Sequence, residues 1–220
     1  MNKINKLTSN WLIHKINNQS LARHLRLLTG RVIDLGCGIS PYRIDILQVA
    51  EEYIGVDWSN SYHDLSNVDV LINITGPLSL GNECADTVVS FQVMEHLPEP
   101  GFFLSECYRI LRSGGKLFIT VPFNWHVHEA PYDYFRYTRH GLEYLLQQAG
   151  FIDILIEENT GFWQMWILKF NYHTARLAWG PIKIFMIPIW FLGQVVSPVL
   201  DGIDRHPQET ASYTVIAGKL

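Results

Sequence analysis

The sequence has little charge and few cysteines, and both shortages limit what the protein can be. Only 17% of its 220 residues are Asp, Glu, Lys or Arg, while 48% are hydrophobic. Neither a disordered chain nor a solvent-exposed coiled coil is expected from such a composition. The three cysteines, Cys37, Cys84 and Cys107, are widely spaced and form no Cys-x-x-Cys pair. They predict neither a disulfide framework nor a cysteine zinc site, and they favour a reducing, cytoplasmic compartment.

Acidic residues are missing from the N-terminal part of the chain. No Asp or Glu precedes Asp34, whereas six Lys or Arg residues do: Lys3, Lys6, Lys15, Arg23, Arg26 and Arg31. Residues 1–29 are therefore expected to form a basic helical extension, and they lack the apolar run and cleavage site of a secretory signal. The net charge of the chain is −4, so we expect no nucleic-acid partner.

What the chain does contain is an alternation of short apolar runs and helical patterns. Seven runs rich in Val and Ile, as in strands buried on both faces, lie at residues 31–35, 53–57, 68–74, 87–91, 116–122, 151–157 and 212–217. Helices are predicted between several of them, over residues 41–50, 99–112 and 138–149. This alternation predicts a parallel sheet in an α/β domain formed by residues 30–160 and 210–220.

The first of these runs ends in a glycine turn of the kind that binds nucleotides. Gly36 and Gly38 would let the backbone come close to a ligand at the start of a helix. Asp57 follows 19 residues after Gly38, at the end of the next run, where a carboxylate can accept both hydroxyls of a ribose. Asp34 would repel a diphosphate, and Pro41 stands where a dinucleotide fingerprint has its third glycine. The turn therefore favours a cationic nucleoside over NAD.

Two motifs around this turn, Asp34-Leu35-Gly36-Cys37-Gly38 and Gly55-Val56-Asp57, resemble the class I S-adenosylmethionine-dependent methyltransferases. Residues 86–97 and 109–119 resemble later segments of that family in the same order. The resemblance implies a Rossmann-like, three-layer α/β/α fold with a seven-stranded sheet, mostly parallel with an antiparallel last strand. It also implies S-adenosylmethionine as the cofactor.

The resemblance also assigns roles by position. It implies that the cofactor is bound by Asp34, Gly36, Cys37, Gly38, Asp57, Trp58, Asn73, Ile74 and Gln92. One alternative is a non-catalytic protein that uses the same fold to bind a nucleoside or to dock on membranes or partners. A nicotinamide oxidoreductase is a third interpretation, disfavoured by Asp34 and Pro41.

Residues that follow the fourth and fifth runs are candidates for the acceptor site, because ligands bind beyond the carboxyl ends of parallel strands. His96 and His128 are candidate bases if an acceptor hydroxyl must lose its proton, with Asp133 as an orienting or alternative group. A purely structural role at a helix start is the alternative for His96. The acceptor itself is expected to contact Trp125, Tyr132, Tyr134 and Arg136.

The pattern His126-x-His128-Glu129 could supply metal ligands, since alternate residues of an extended segment face the same way. No third ligand can be assigned from the sequence, and no cysteine accompanies the pair. We therefore expect no metal.

An apolar insertion, residues 161–209, separates the last two strands and is expected to be helical. Between residues 161 and 200 its charged side chains are all basic, Lys169, Arg176 and Lys183. Residues 181–200 are long enough to span a membrane, but pairing of the flanking strands in one sheet would require both ends on the same side. We expect helices lying in the membrane interface, with a lid over the active site or a contact with a second copy of the chain as alternatives.

These patterns and the resemblance together predict a methyltransferase, cytoplasmic or peripheral at the inner face of a membrane. Its methyl group would go to oxygen of a small-molecule or lipid-linked acceptor, such as a sugar or a quinone precursor. An apolar acceptor is expected because the insertion is apolar and basic. A homodimer is a further possible assembly of the chain.

Overall fold

One seven-stranded sheet organises the molecule. The computed structural model describes residues 5–61 and 64–220, so the first four residues of the basic extension lie outside the described part. The strands are β1 Arg31–Leu35, β2 Glu52–Asp57, β3 Val70–Leu71, β4 Ala85–Phe91, β5 Leu111–Pro122, β6 Ile152–Glu158 and β7 Ser212–Gly218. They lie in the order β3-β2-β1-β4-β5-β7-β6.

The direction of the strands agrees with the fold predicted from the sequence. β3, β2, β1, β4 and β5 pair in parallel, whereas β7 is antiparallel to both of its neighbours. Ile216 of β7 pairs with Phe118 of β5 on one side and with Leu155 of β6 on the other. The mostly parallel sheet with an antiparallel last strand is confirmed. The strand predicted over residues 68–74 is reduced to the exposed pair Val70–Leu71, because β3 lies at the edge of the sheet.

Helices cover both faces of the sheet. They are α1 Trp11–His24, α2 Arg43–Ile46, α3 Pro100–Ile110, α4 Arg139–Gln148, α5 Phe162–Ala175 and α6 Gly180–Ile203. Apolar residues of α3 and α4 pack with Ile33 and Leu35 on one face. Residues of α1 and α2 pack with Val32 and Phe118 on the other face, which gives three layers. Successive residues of β1 point to opposite faces, so its continuous apolar run serves both layers.

The helix predicted over residues 41–50 is too long. Only Arg43–Ile46 is α-helical, although Pro41 does stand just before it. After that turn two bonds join residues three apart, from Gln48 N–H to the Asp45 carbonyl and from Val49 N–H to the Ile46 carbonyl, beside one from Ala50 N–H to the same Ile46 carbonyl. The chain tightens there and enters β2 without a longer helix.

Residues 161–209 contain the two helices α5 and α6, and their flanking strands β6 and β7 pair side by side as the sequence argument required. Gly180 and Pro181 begin α6, which continues for 24 residues through Pro188 and Pro198. Its buried residues, Trp190, Gln194, Ser197 and Asp201, recur every three or four positions and form one stripe. By length and composition α6 is able to cross a membrane, and only 17% of its most apolar stretch is buried within the protein.

Candidate active site

A cavity of about 530 Å³ opens where β1, β2 and β4 end, at the carboxyl edge of the sheet. Eight of the nine residues predicted to bind a nucleoside line it: Gly36, Cys37, Gly38, Asp57, Trp58, Asn73, Ile74 and Gln92. His96, Tyr132 and Tyr134 line it as well, so candidates from both predicted halves of the site share one space. The place agrees with the rule that ligands of parallel sheets bind beyond the strand ends.

The glycine turn after β1 forms the floor of this cavity. Gly36 has a φ of +78° and Gly38 a φ of +52°, which side chains rarely permit. A Cβ atom on Gly36 would lie 2.6 Å from Cγ2 of Val93, so there is also no room for one. Both constraints leave bare backbone facing the cavity.

Asp57 connects this turn to the end of β2. Its Oδ2 accepts a hydrogen bond of 2.7 Å from the Gly38 N–H, and its Oδ1 accepts one of 2.8 Å from the Trp58 N–H. The residue is buried yet lines the cavity. Each carboxylate oxygen keeps capacity for a second donor, so Asp57 is able to receive a pair of hydroxyl groups.

Asp34 is the one predicted cofactor residue outside the cavity lining. It is fully buried, and its Oδ2 accepts a 2.5 Å hydrogen bond from the Tyr53 hydroxyl. Burial raises the pKa of Asp34 to about 7, against the opposing effect of that hydrogen bond. Asp34 thus lies behind the cavity and bonds to Tyr53.

Gln92 shows a donor that the protein interior leaves unused. It stands at the end of β4 with a φ of +56°, an unusual value for a residue with a side chain. Its Nε2 is buried and meets no hydrogen-bond partner among the described residues, although the side chain lines the cavity. An unfilled amide donor, the acceptor oxygens of Asp57 and the bare glycine turn together fit a polar nucleoside ligand.

Residues 123–137 form the mouth of the cavity. The Tyr132 ring meets the Trp58 ring edge to face at 6.0 Å, and the Tyr134 N–H donates to the Glu95 carbonyl at 2.8 Å. Both tyrosines remain half exposed, so an acceptor is able to reach them from solvent. Trp125, also predicted to contact the acceptor, instead packs against a cluster formed by α1 and α5.

Asp133 and Arg136 brace this loop. The guanidinium donates to both carboxylate oxygens, at 2.6 and 2.7 Å, and also to the His126 carbonyl at 2.7 Å. Burial would raise the pKa of Asp133, but hydrogen bonds from Arg136 and from the His128 N–H outweigh it and hold that pKa at about 2. Neither residue is part of the cavity lining. Asp133 therefore acts as a permanent anion that orders the loop.

His96 and His128 lie together, with ring centroids 5.0 Å apart. Nδ1 of His96 is 2.7 Å from the Tyr132 carbonyl, which only accepts hydrogen bonds, so this nitrogen carries the proton and Nε2 has the free lone pair. The sequence predicts His96 and His128 as two separate candidate bases, and in the fold they are neighbours.

Glu95 was not among the residues predicted for the site. It is fully buried beside His96, and no other described residue donates a hydrogen bond to either carboxylate oxygen. Burial raises its pKa to about 8, against the effects of its own backbone amide and of the Arg136 charge. Glu129, which lines the cavity, was also missed as a single residue. The only sequence signal for Glu95 is an acid directly before a candidate histidine.

Comparison with known families and proteins adds to this geometry. Residues 33–119 match the family described as "Methyltransferase domain". A "Probable S-adenosylmethionine-dependent methyltransferase" of Mycolicibacterium smegmatis is 34% identical over 50% of this chain and 44% of its own length. A "Ubiquinone biosynthesis O-methyltransferase" of Pseudomonas entomophila is 26% identical over 55% of this chain and 53% of its own. The chain thus spans about half the length of these curated relatives.

Solved structures match over most of the chain. A SAM dependent methyltransferase from Archaeoglobus fulgidus superimposes with a TM-score of 0.61 and 20% identity, over 93% of this chain and 94% of that one. Phosphoethanolamine N-methyltransferase 2 of Haemonchus contortus, solved with S-adenosyl-L-methionine, gives 0.57 and 19%, over 92% and 52%. At these identities the likeness establishes the fold.

Proposed function

We propose that the protein transfers a methyl group from S-adenosylmethionine to oxygen of a small, apolar acceptor, since residues 33–119 match the methyltransferase domain family and the curated relatives are similar to this chain over about half of its length. The observation that carries the proposal is the cavity itself, where the glycine turn, Asp57 and Gln92 lie beside His96 and Tyr132. Cofactor groups and acceptor groups thus share one space, which methyl transfer requires.

At the cofactor end the proposed roles follow from unfilled hydrogen-bonding capacity. Asp57 would hold the ribose hydroxyls, and Gln92 would donate its free amide to the bound cofactor. S-adenosylmethionine, when bound, supplies an electrophilic methyl group on a sulfonium. Trp58 and Tyr132, in contact across the mouth, would limit the entry of water.

At the acceptor end, the three predicted catalytic residues have different proposed roles. His96 lines the cavity with a free lone pair on Nε2, and His128 lies beside it, so the two imidazoles would hold the acceptor hydroxyl. Asp133 would serve as a positioning residue through Arg136. Oxygen as the methyl acceptor is supported by these imidazoles and by similarity to the Pseudomonas O-methyltransferase.

The proposal is tested with the purified full chain and methyl-labelled S-adenosylmethionine. The acceptors would be hydroxylated aromatics with and without a prenyl tail, and lipid-linked sugars. We expect label in an O-methyl ether of an apolar acceptor, together with S-adenosylhomocysteine. Label only on nitrogen acceptors would overturn the choice of oxygen, and absence of S-adenosylmethionine binding by calorimetry would favour a non-catalytic binding protein.

We further propose that α6 rests on the surface of an anionic membrane. Its outward residues are large and apolar, with Phe185 74% exposed and Ile184 70% exposed, and Trp179 stands 73% exposed just before the helix. Two exposed cations accompany this face in the sequence, Lys183 within α6 and Arg176 directly after α5. An apolar face with basic and aromatic edges suits the headgroup boundary of an anionic leaflet.

The first helix of the insertion, α5, contacts the loop at the mouth of the cavity. Among the described residues that line the cavity, none comes from residues 161–209. Tyr172 of α5, however, stacks on His126 with ring centroids 3.6 Å apart, and His126 belongs to the loop at the mouth. A membrane-bound insertion would therefore place that mouth near the bilayer, where an apolar acceptor is concentrated.

Flotation of the full chain with vesicles tests the membrane proposal. We expect binding to vesicles that contain an anionic phospholipid at low salt, and weaker binding to purely zwitterionic vesicles. A protein that stays unbound and elutes as a dimer would show that α6 contacts a second copy instead. An unbound monomer would also overturn the proposal.

A further inference from the structure

We propose that Glu95, His96 and His128 form a binding site for one divalent transition-metal ion at the acceptor end of the cavity. One ligand atom of each residue lies within 4.8 Å of those of the other two. The sequence pattern at His126 and His128 lacked a third ligand, and the fold supplies Glu95 and His96 from the turn after β4. The site is distinct in kind from the nucleoside contacts of Asp57 and Gln92.

The buried carboxylate of Glu95 is the first observation that points to a cation. Its side chain is fully shielded from solvent, and neither oxygen accepts a hydrogen bond from another described residue. Nε2 of His96 lies 3.8 Å from its Oε1. A buried carboxylate without donors is costly, and coordination of a cation would satisfy it.

The histidine rings are held in the way that metal ligands usually are. Metal-bound imidazoles commonly donate their second ring nitrogen to a carbonyl or carboxylate oxygen. Nδ1 of His96 donates to the Tyr132 carbonyl at 2.7 Å, and this leaves Nε2 free. Nδ1 of His128 lies 3.3 Å from Oδ2 of Asp133, from the His126 carbonyl and from Nη2 of Arg136. The His128 ring is thus positioned by three polar contacts, and His96 presents its free Nε2.

Glu129 lies on the open side of the cluster. Its Oε2 is 3.8 Å from Nε2 of His96, and the residue lines the cavity. Ligand atoms around an ion at about 2.1 Å stand roughly 3–4 Å apart. The ligand atoms of the three residues, which lie within 4.8 Å of one another, would therefore have to close by roughly 1 Å around an ion. Arg136 is the nearby positive charge, and its two hydrogen bonds to Asp133 offset it.

Two imidazoles with one or two carboxylates suit Zn²⁺, Mn²⁺ or Co²⁺ better than Mg²⁺, which prefers oxygen ligands. A remaining coordination position would face the cavity through Glu129 and His96. An acceptor hydroxyl bound there would be oriented and made more acidic, and this part rests on the proposed methyl transfer to oxygen. His96 would then act as a ligand.

The test is a titration of the chelator-treated full chain with Co²⁺, followed by its visible absorption and by competition with Zn²⁺. We expect one ion per chain, with the absorption of a nitrogen- and oxygen-bound Co²⁺. Glu95→Gln and His128→Ala should each weaken binding by at least about 10-fold. His140→Ala, at an exposed histidine of α4, should bind as the unaltered chain does.

Further variants and readouts keep the outcomes distinct. His126→Ala should retain the ion; if it loses the ion while Glu95→Gln retains it, the proposed ligand set is wrong. Absence of one-to-one binding, or unchanged affinity in both Glu95→Gln and His128→Ala, would overturn the site. Circular dichroism and calorimetry with S-adenosylmethionine would show that each variant is folded. Because no acceptor is present, a failed metal titration leaves the proposed methyl transfer standing.

Discussion

The cavity and helix α6 break the usual distribution of polar and apolar groups in opposite directions. In and behind the cavity, the buried acids Asp34 and Glu95 and the buried Nε2 atom of Gln92 are incompletely hydrogen-bonded by the described residues. Along α6 the buried stripe carries Gln194 and Asp201, while the outward face is apolar. A protein alone in water would favour neither arrangement.

The contrast indicates which kind of ligand or surface each region is suited to bind. Unfilled polar groups in a concave space call for a polar or charged ligand, and an apolar helix face calls for an apolar surface. Three residues of the buried stripe of α6 bond to other elements: Oε1 of Gln194 accepts from the Leu12 N–H at 3.0 Å, Trp190 Nε1 donates to Thr174, and Asp201 accepts from the Gly161 N–H. The outward face of α6 is therefore its free side.

The largest expected effect comes from removing the carboxylate of Asp57, whose two oxygens are the proposed acceptors for the ribose hydroxyls. Asp57→Ala should weaken S-adenosylmethionine binding by at least ~100-fold, because hydrogen bonds to a charged acceptor contribute about 1.5–3 kcal/mol each. Calorimetric titration measures it, and Glu143→Ala, an exposed acid of α4, is the control. Equal affinities in the two variants would remove Asp57 from the cofactor site.

A second prediction concerns the buried acid behind the turn. The pKa of Asp34 is raised to about 7 in the fold by burial, with Asp57 adding to the rise and the Tyr53 hydroxyl opposing it. The folded state therefore holds a proton that the unfolded state has released, and stability falls as pH rises from about 4 to about 7.

Asp34→Asn should remove this dependence. Relative to the unaltered chain, the variant should gain roughly 2–3 kcal/mol in free energy of unfolding between pH 5 and pH 8. Denaturant titrations at both pH values measure it, and the matching contribution of Glu95 cancels in the difference. A difference that does not change with pH would show that Asp34 ionises normally.

A third prediction addresses the outward face of α6. Phe185→Glu should lower binding to anionic vesicles by roughly 10- to 100-fold, because burial of such a side chain is worth about 1.5–3 kcal/mol. S-adenosylmethionine binding should not change. Ile44→Glu makes a similar change at an exposed residue of α2, 78% exposed, and should leave vesicle binding intact. If both variants bind vesicles equally, α6 is not the contact.

Local patterns made the sheet and the nucleoside half of the site predictable. Apolar runs such as Val32–Ile33 and the turn at Gly36 and Gly38 each involve only a few neighbouring residues, so they can be recognised from the sequence without the fold. The cluster of Glu95 with His128 joins segments far apart in sequence, and no local pattern announces it. The polar stripe of α6 was hidden for a similar reason, since Gln194 bonds to the Leu12 N–H and the Thr8 carbonyl, which are far from it in sequence.

The smallest expected effect tests how α6 is attached. Helix α5 begins at Phe162, and its N-cap Gly161 has no side chain to cap it. Asp201 of α6 accepts from the Gly161 N–H at 2.9 Å and the Trp163 N–H at 2.8 Å instead. Asp201→Ala should lower the free energy of unfolding by about 1–2 kcal/mol, measured by denaturant titration, because a buried cap is lost. Asp204→Ala, at a more exposed acid nearby, should cost less than about 0.5 kcal/mol. Equal losses would mean that Asp201 does not hold the two helices together, and the docked stripe would then depend on Gln194 and Trp190.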